Sequence, residues 1–324
     1  MIYNGLRNAL IQYPDGLIIG EDIRDQNRPD EEIYGGAFKV TKGLSSEFDQ
    51  NVVNSPIAEQ MIVGYSLGYA LNAGMAVAEI MFGDFLTLCL DQLLQHASKF
   101  KIMFGRDLKI PLIIRTPMGG KRGYGPTHSQ SIEKHFLGID GLEVYALNHR
   151  IDPRAIFTSI LNRNTPTLLI ENKILYTAKS SELPYSYSLD KKSLNFGYLN
   201  IKSTQKADLI VFCYSDALKT AEQLADLLLD EEIYIEIVCG VDLNSNLPEY
   251  DWKGISGKHV IVIEEGSNIA SWSSIITLEI LRQKIVPSSF ASFSNNEIIP
   301  ANLILELFKI PSADKIINYI LDLE

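Results

Sequence analysis

Short apolar runs of strand character alternate with helix-period segments through the first half of the chain. That alternation leaves few folds open, and the one it favours is a mostly parallel sheet covered by helices on both faces. LIIGED (17–22) reads as a strand ending in acids. After a polar, insertion-like loop (RDQNRPDEEIYGG), a helix is predicted from Ser55 and Pro56 to about position 72, stopped by Gly74. Residues 75–81 read as a strand, and 84–101 as one long helix with Phe85, Leu88, Cys89 and Leu93 on its apolar face. PLIIR (111–115) is a further strand, and a Gly-rich loop over 116–127 leads into a helix beginning HSQS. LEVYAL, a helix from about Asp152, and TLLIEN complete a doubly wound unit.

Residues 179–206 are polar and irregular and read as a linker. Beyond it DLIVFCY, DALKTAEQLADLLLD, YIEIVCG, HVIVIEE and SWSSIITLEILRQ alternate strand and helix again. The expected organisation is α/β throughout: a doubly wound domain over 1–178, the linker, and a smaller doubly wound domain over 207–324. The length of 324 residues is that of two domains at roughly 150 each.

With 29 basic against 40 acidic side chains, the chain carries a formal charge of −11 and no basic cluster. Such a surface repels phosphate backbones and anionic lipid, which argues against nucleic acid or membrane as a main partner. Cys89, Cys213 and Cys239 lie in apolar surroundings without metal-ligand spacing and read as core residues of a protein from a reducing compartment. The first residues lack a secretory pattern and no apolar run reaches the ~18 residues of a membrane span. The expectation is a soluble, cytoplasmic protein.

Gly64-Tyr65-Ser66-Leu67-Gly68 satisfies the G-x-S-x-G form of a hydrolase nucleophile elbow. An elbow needs a strand running into the turn, whereas SPIAEQMIV continues at helical spacing. The better reading places Gly64 and Gly68 on one helix face, where they permit close approach by another helix, such as one from a second subunit. Glu59, behind Ser55-Pro56, is the kind of acid a helix dipole favours in its first turn. His128 is the only one of five histidines in a Gly-rich loop; His96, His135, His149 and His259 read as structural or exposed. Arg115, Lys121 and Arg122 flank that loop and read either as groups that attract a carboxylate or as a solvated basic edge.

The ordered series GED, YGGAFKVTKGL, SPIAE, AEIMFGDF, DQLLQHASK, IRTPMGG, HSQS and LLIENKILY spans nearly all of residues 16–176. It resembles the β subunit of the heteromeric thiamine-diphosphate-dependent 2-oxo acid dehydrogenases acting on pyruvate, branched-chain 2-oxo acids or acetoin. The resemblance implies an N-terminal transketolase-like pyrimidine-binding domain and a C-terminal transketolase-like domain. It implies thiamine diphosphate as cofactor, with Glu59 hydrogen-bonded to the aminopyrimidine ring nitrogen. That bond promotes an imino tautomer able to take the thiazolium proton intramolecularly. For this role the carboxyl is expected in a dry interface with a raised pKa. Phe85 is the implied stacking partner of the aminopyrimidine, and His128 the residue facing the substrate and the lipoyl arm.

No G-D-G run, the family's signature for Mg2+ and diphosphate, occurs in the chain. The resemblance therefore implies an α subunit that holds Mg2+, an α2β2 heterotetramer with active centres between α and β, and an acyltransferase carrying lipoamide. It also implies a K+ ion held by backbone carbonyls around Ile160 and Asn164. IEIVCGVDLNSNLPEYD departs from the family's D-L-R-T-L-x-P-L-D stretch, Leu88 replaces a usual Gln or Pro, and NRPDEE is extra. Two alternatives follow: a related thiamine enzyme that passes its intermediate to another acceptor in a specialised biosynthetic pathway, and a noncatalytic scaffold subunit.

Overall fold

The structure, a computed structural model, describes residues 2–25, 34–104, 108–178 and 182–323. Most of the insertion-like loop, with its NRPDEE, and the start of the expected linker lie outside the described residues. The chain divides into two compact units, the first comprising Met1–Met118, Gly138–Tyr145 and Arg150–Thr177.

In chain order the first unit contains α1 (Ile2–Gln12), β1 (Leu17–Gly20), α2 (Leu44–Glu47), β2 (Val52–Asn54), α3 (Glu59–Asn72) and β3 (Ala76–Glu79). After α4 (Phe100–Met103) come β4 (Leu112–Met118), β5 (Glu143–Ala146), α5 (Pro153–Arg163) and β6 (Thr167–Asn172). The strands form one sheet in the order β2-β1-β3-β4-β6-β5, with parallel ladders joining β2 through β6. All residues of β1, β3, β4 and β6 are buried, as expected for strands covered on both faces. Leu6, Ala9 and Leu10 of α1 recur at helical spacing and are buried, with α1 packing on α5.

Three expectations fail locally. The helix predicted from Ser55 starts at Glu59 instead, because 52–54 extend as β2 and Ala58 is the N-cap. The helix predicted over 84–101 is a 3-10 segment (Gly83–Cys89), a π segment (Gln92–Ala97) and then α4. The changed pitch buries Leu86, Cys89 and Leu93 and leaves Leu88 half exposed, so Phe85 and Leu88 are not on the core face. No helix starts at HSQS; a turn there is followed by a single 3-10 turn at Glu133–His135.

The second unit comprises Gly119–Leu137, Ala146–His149 and Ala178–Glu324. It takes in the Gly-rich loop and is the longer of the two, not the smaller. Within the expected linker, β7 (Tyr187–Asp190) and β8 (Tyr198–Ser203) are strands of its sheet. Then follow β9 (Leu209–Tyr214), α6 (Ala217–Leu227), β10 (Ile235–Gly240), β11 (His259–Ile263), α7 (Trp272–Arg282), β12 (Ser289–Phe293), α8 (Leu303–Lys309) and α9 (Ala313–Leu321). The sheet order is β12-β11-β9-β10-β8-β7; β9 to β12 are parallel, and β8 and β7 add antiparallel strands. Alternation of Tyr187, Leu189, Leu199 and Ile201 was the signal for this pair, masked by the polar residues between them. Cys213 and Cys239 are buried partners across β9 and β10, and Cys89 is buried in the first unit, all three as free thiols.

Candidate functional site

Glu59 is the first residue of α3 and only 8% exposed. Four amide N–H groups at a helix start lack intrahelical partners, and their partial positive charge favours a carboxylate there. No hydrogen bond from a described residue engages this carboxylate. Its surroundings are acidic and apolar. Glu21, just past β1, has its carboxyl pKa raised by burial and then by Glu59, Asp22 and Glu79. The Cys89 thiol, on the segment that packs against α3, is pushed up to about 12 by burial and the Glu59 charge.

Phe85 lies in that same 3-10 segment, half-buried, its ring edge-on to Phe82 with centroids 5.9 Å apart. Phe82 in turn meets Phe38 at 5.5 Å, and Phe38 meets Tyr176 at 5.5 Å. Gly83 leaves no room for a side chain, since an added Cβ would lie 2.1 Å from Met118 Cγ. Glycine there lets the aromatic turn seat directly on β4.

Near this aromatic group, the ends of β3 and β6 and the middle of β4 bring Glu79, Glu171 and Arg115 together. Arg115 is 1% exposed and donates to both carboxylates, while the Tyr176 hydroxyl donates to Glu171 Oε2 at 2.7 Å. Burial opposes the guanidinium charge, but Glu171 and Glu79 together hold its pKa well above the ordinary value. Burial raises Glu79 against the pull of Arg115. Arg115 is therefore a buried structural cation, not part of a solvated basic edge. Neighbouring strand ends were the available signal, because parallel sheets gather functional groups there.

Ser66 is fully buried within α3, and its hydroxyl donates to the Ile62 carbonyl at 2.7 Å, which removes it as a nucleophile. Gly64 and Gly68 sit on the outer face of the same helix; at Gly68 an added Cβ would meet nothing within 4 Å, and at Gly64 only Gln92 Cγ at 3.9 Å. Ile57, Met61 and Tyr65 flank them, 82%, 37% and 55% exposed. Ile160 is buried in the last turns of α5, and Asn164 is its left-handed C-cap, whose carbonyl accepts from Ile110 N–H at 3.0 Å.

The second unit holds His128, half-buried at the end of the Gly-rich loop. Its N–H donates to the Gly125 carbonyl at 3.2 Å, and Nδ1 lies 2.9 Å from Thr127 Oγ1. Gly119, Lys121, Gly123 and Gly125 have positive φ. Lys121 is not a solvated residue either: it pairs with buried Asp216 at 2.6 Å. Of the other histidines, His149 is buried against Glu222 at 2.9 Å, and His259 Nδ1 meets Ser289 Oγ at 2.8 Å. His96 is half-buried and His135 is exposed. Glu59 and Phe85 thus share the first unit, and His128 belongs to the second.

The description "Transketolase, pyrimidine binding domain" matches residues 3–179. The β subunit of the acetoin:2,6-dichlorophenolindophenol oxidoreductase of Bacillus subtilis is 29% identical over 73% of this chain and 69% of its own length. The pyruvate dehydrogenase E1 component subunit beta of Gracilaria tenuistipitata is 34% identical over 55% of this chain and 54% of its own. Among solved structures, a split-gene transketolase described as an inactive beta4 tetramer aligns with a TM-score of 0.71. It is 15% identical and covers 99% of this chain and 96% of that one, which shows the shared fold. The family match and the β-subunit relatives agree: this chain belongs to the transketolase pyrimidine-binding-domain family, as a β subunit of the thiamine-diphosphate-dependent 2-oxo acid dehydrogenase type.

Proposed function

We propose that the chain supplies the pyrimidine side of a thiamine-diphosphate site, as the β subunit of an α2β2 enzyme that decarboxylates a 2-oxo acid and passes the acyl unit to lipoamide. The observation that carries this reading is Glu59: a nearly buried carboxylate at a helix start, without a hydrogen bond from any described residue, on a helix that packs against the segment carrying half-buried Phe85. Leaving such a group without a partner is costly, so the donor set fits a ligand that brings a ring nitrogen to that oxygen. When bound, thiamine diphosphate supplies the nucleophilic carbon and electron sink for cleaving the bond beside a carbonyl.

The residues of this chain do the remaining work. Glu59 holds a proton between its carboxyl oxygen and the aminopyrimidine ring nitrogen, and Phe85 presents a flat apolar face against that ring. His128 orients the acyl group and moves a proton at its imidazole. Thr127 fixes the ring by contact with Nδ1.

The diphosphate and Mg2+ are assigned to the α partner, since this sequence has no G-D-G run. A K+ ion is assigned to the carbonyls of Ile160 and Asn164, at the negative end of α5. The Gly64/Gly68 face of α3 is the assigned contact with another subunit, and a lipoyl acyltransferase is the assigned recipient. Acetoin is a second substrate reading, supported by the name of the Bacillus subtilis relative. Among the described residues no helix is long and apolar enough to cross a membrane. With three buried free thiols, the proposed setting is the cytoplasm.

The reading is tested by Glu59→Gln in the reconstituted α/β assembly. Turnover is expected to fall by at least about 10²-fold, the scale of lost general acid–base catalysis, with the fold intact. Near-normal turnover would refute the assignment.

A further inference from the structure

The Gly-rich loop that carries His128 is expensive to hold in one shape. Gly119, Gly123 and Gly125 have φ of 86, 71 and 80°, and Lys121 one of 68°. Glycine loses more conformational freedom on ordering than any other residue. Backbone pairing within the loop is sparse: Gly119 N–H donates to the Gln130 carbonyl at 3.3 Å and His128 N–H to Gly125 at 3.2 Å.

Two buried carboxyl groups from distant sequence add to it. Gly120 N–H donates to Glu265 Oε1, and Gly123 N–H donates to Glu306 Oε2 at 2.5 Å. Glu306 comes from α8, whose first turn is capped by Asn302. Residues just before it form the seat of the loop: a Cβ on Gly123 would lie 3.1 Å from Leu303 Cβ, and one on Gly125 would lie 3.5 Å from Ala301 Cα.

Glu306 is fully buried, and its second oxygen, Oε1, has no hydrogen-bond partner. That oxygen points to Gly120, where a Cβ would lie 2.7 Å from it and 3.2 Å from Glu265 Oε1. Burying a carboxylate costs several kcal/mol, and a leucine of similar volume would serve the core better. What this buried side chain holds is a backbone N–H of the loop. A carboxylate forms about twice as strong a bond to a backbone N–H as a neutral acceptor does.

We infer that Glu306 is a positioning residue: by gripping Gly123 N–H from beneath, it fixes the loop whose end places the His128 imidazole for the reaction. This rests on the role of His128 proposed above. Glu265 accepts from the first half of the loop, beside the Asp216–Lys121 pair, and Glu306 is the carboxyl that engages Gly123 in the half nearer His128.

The test reads the loop directly and the reaction separately. Amide hydrogen–deuterium exchange of residues 119–129 in the full chain is compared for wild type and for Glu306→Ala, Glu306→Asp and Glu306→Gln. Ala and Asp remove or withdraw the acceptor, so exchange there is expected to quicken by about tenfold or more, the value of one charged hydrogen bond, while β9 and β10 exchange as before. Gln keeps a neutral acceptor oxygen and is expected to exchange more slowly than Asp and faster than wild type.

In the α/β assembly, the Ala and Asp variants are expected to lower kcat and to displace the limb of the pH–rate profile that His128→Ala abolishes. Should the Ala chain fail to fold, the Asp chain decides. Unchanged exchange in Asp, or a Gln variant as fast as Asp, overturns the proposal. If His128→Ala leaves the profile intact while exchange behaves as expected, the role of His128 fails and the grip of Glu306 on the loop stands.

Discussion

Arg115 Nε donates to Glu171 Oε1 at 2.8 Å across the neighbouring strands β4 and β6, with both side chains 1% exposed. The same guanidinium reaches Glu79 on β3, so one buried cation ties three neighbouring strands. Removing one partner of a buried ion pair strands the other charge. Arg115→Ala is therefore expected to destabilise the chain by about 3–5 kcal/mol, read from urea unfolding. A loss below about 1 kcal/mol, the worth of an exposed pair, would show that the network carries little of the sheet's stability.

The outer face of α3 separates folding from assembly. Glycine in a helix interior costs about 1 kcal/mol relative to alanine, and among the described residues an added Cβ would meet nothing within 4 Å at Gly68 and only Gln92 Cγ, at 3.9 Å, at Gly64. Alanine at both positions is expected to raise the unfolding midpoint of the isolated chain. It is also expected to weaken association with the partner subunit, measured by sedimentation. Unaltered association would leave these glycines without an intersubunit role.

Stability should decline from mildly acid to mildly alkaline pH because of two buried acids in the second unit. Burial raises the Glu133 carboxyl to about 7, against the bond donated by the Tyr214 hydroxyl. Burial and then the Asp216 charge raise Glu265 to about 8. Both exceed the ordinary 4.5, so between 4.5 and those values the native chain holds protons that the unfolded chain has released. Their contribution is complete below about 4.5, falls as pH rises through 7 and 8, and levels off above. Urea midpoints at pH 5.5, 7 and 9 should show this trend, and Glu133→Gln should flatten its lower part. A Glu133→Gln chain with the wild-type slope would contradict the assignment to Glu133.

Much of the scaffold is legible because apolar runs mark covered parallel strands. TLLIEN is β6 in full, and DLIVFCY and YIEIVCG contain β9 and β10. Glu59 and Phe85 are legible through the motifs that carry the family resemblance. The stretch over 84–101 is not, because an apolar spacing cannot distinguish an α-helix from consecutive 3-10 and π turns, and the π turn shifts the face by a residue. The grip on the Gly-rich loop is illegible for another reason: Gly120 and Glu265 are 145 residues apart, and Gly123 and Glu306 183. Nothing local to either partner signals such a contact.

The direct measurement of the central claim is the exchange rate of the thiazolium C2 proton of bound thiamine diphosphate in the α/β assembly, for wild type and Glu59→Gln. A carboxyl that holds the proton at the aminopyrimidine nitrogen requires exchange at least about 10²-fold slower in Glu59→Gln, with cofactor still bound. Equal rates in the two proteins would contradict it.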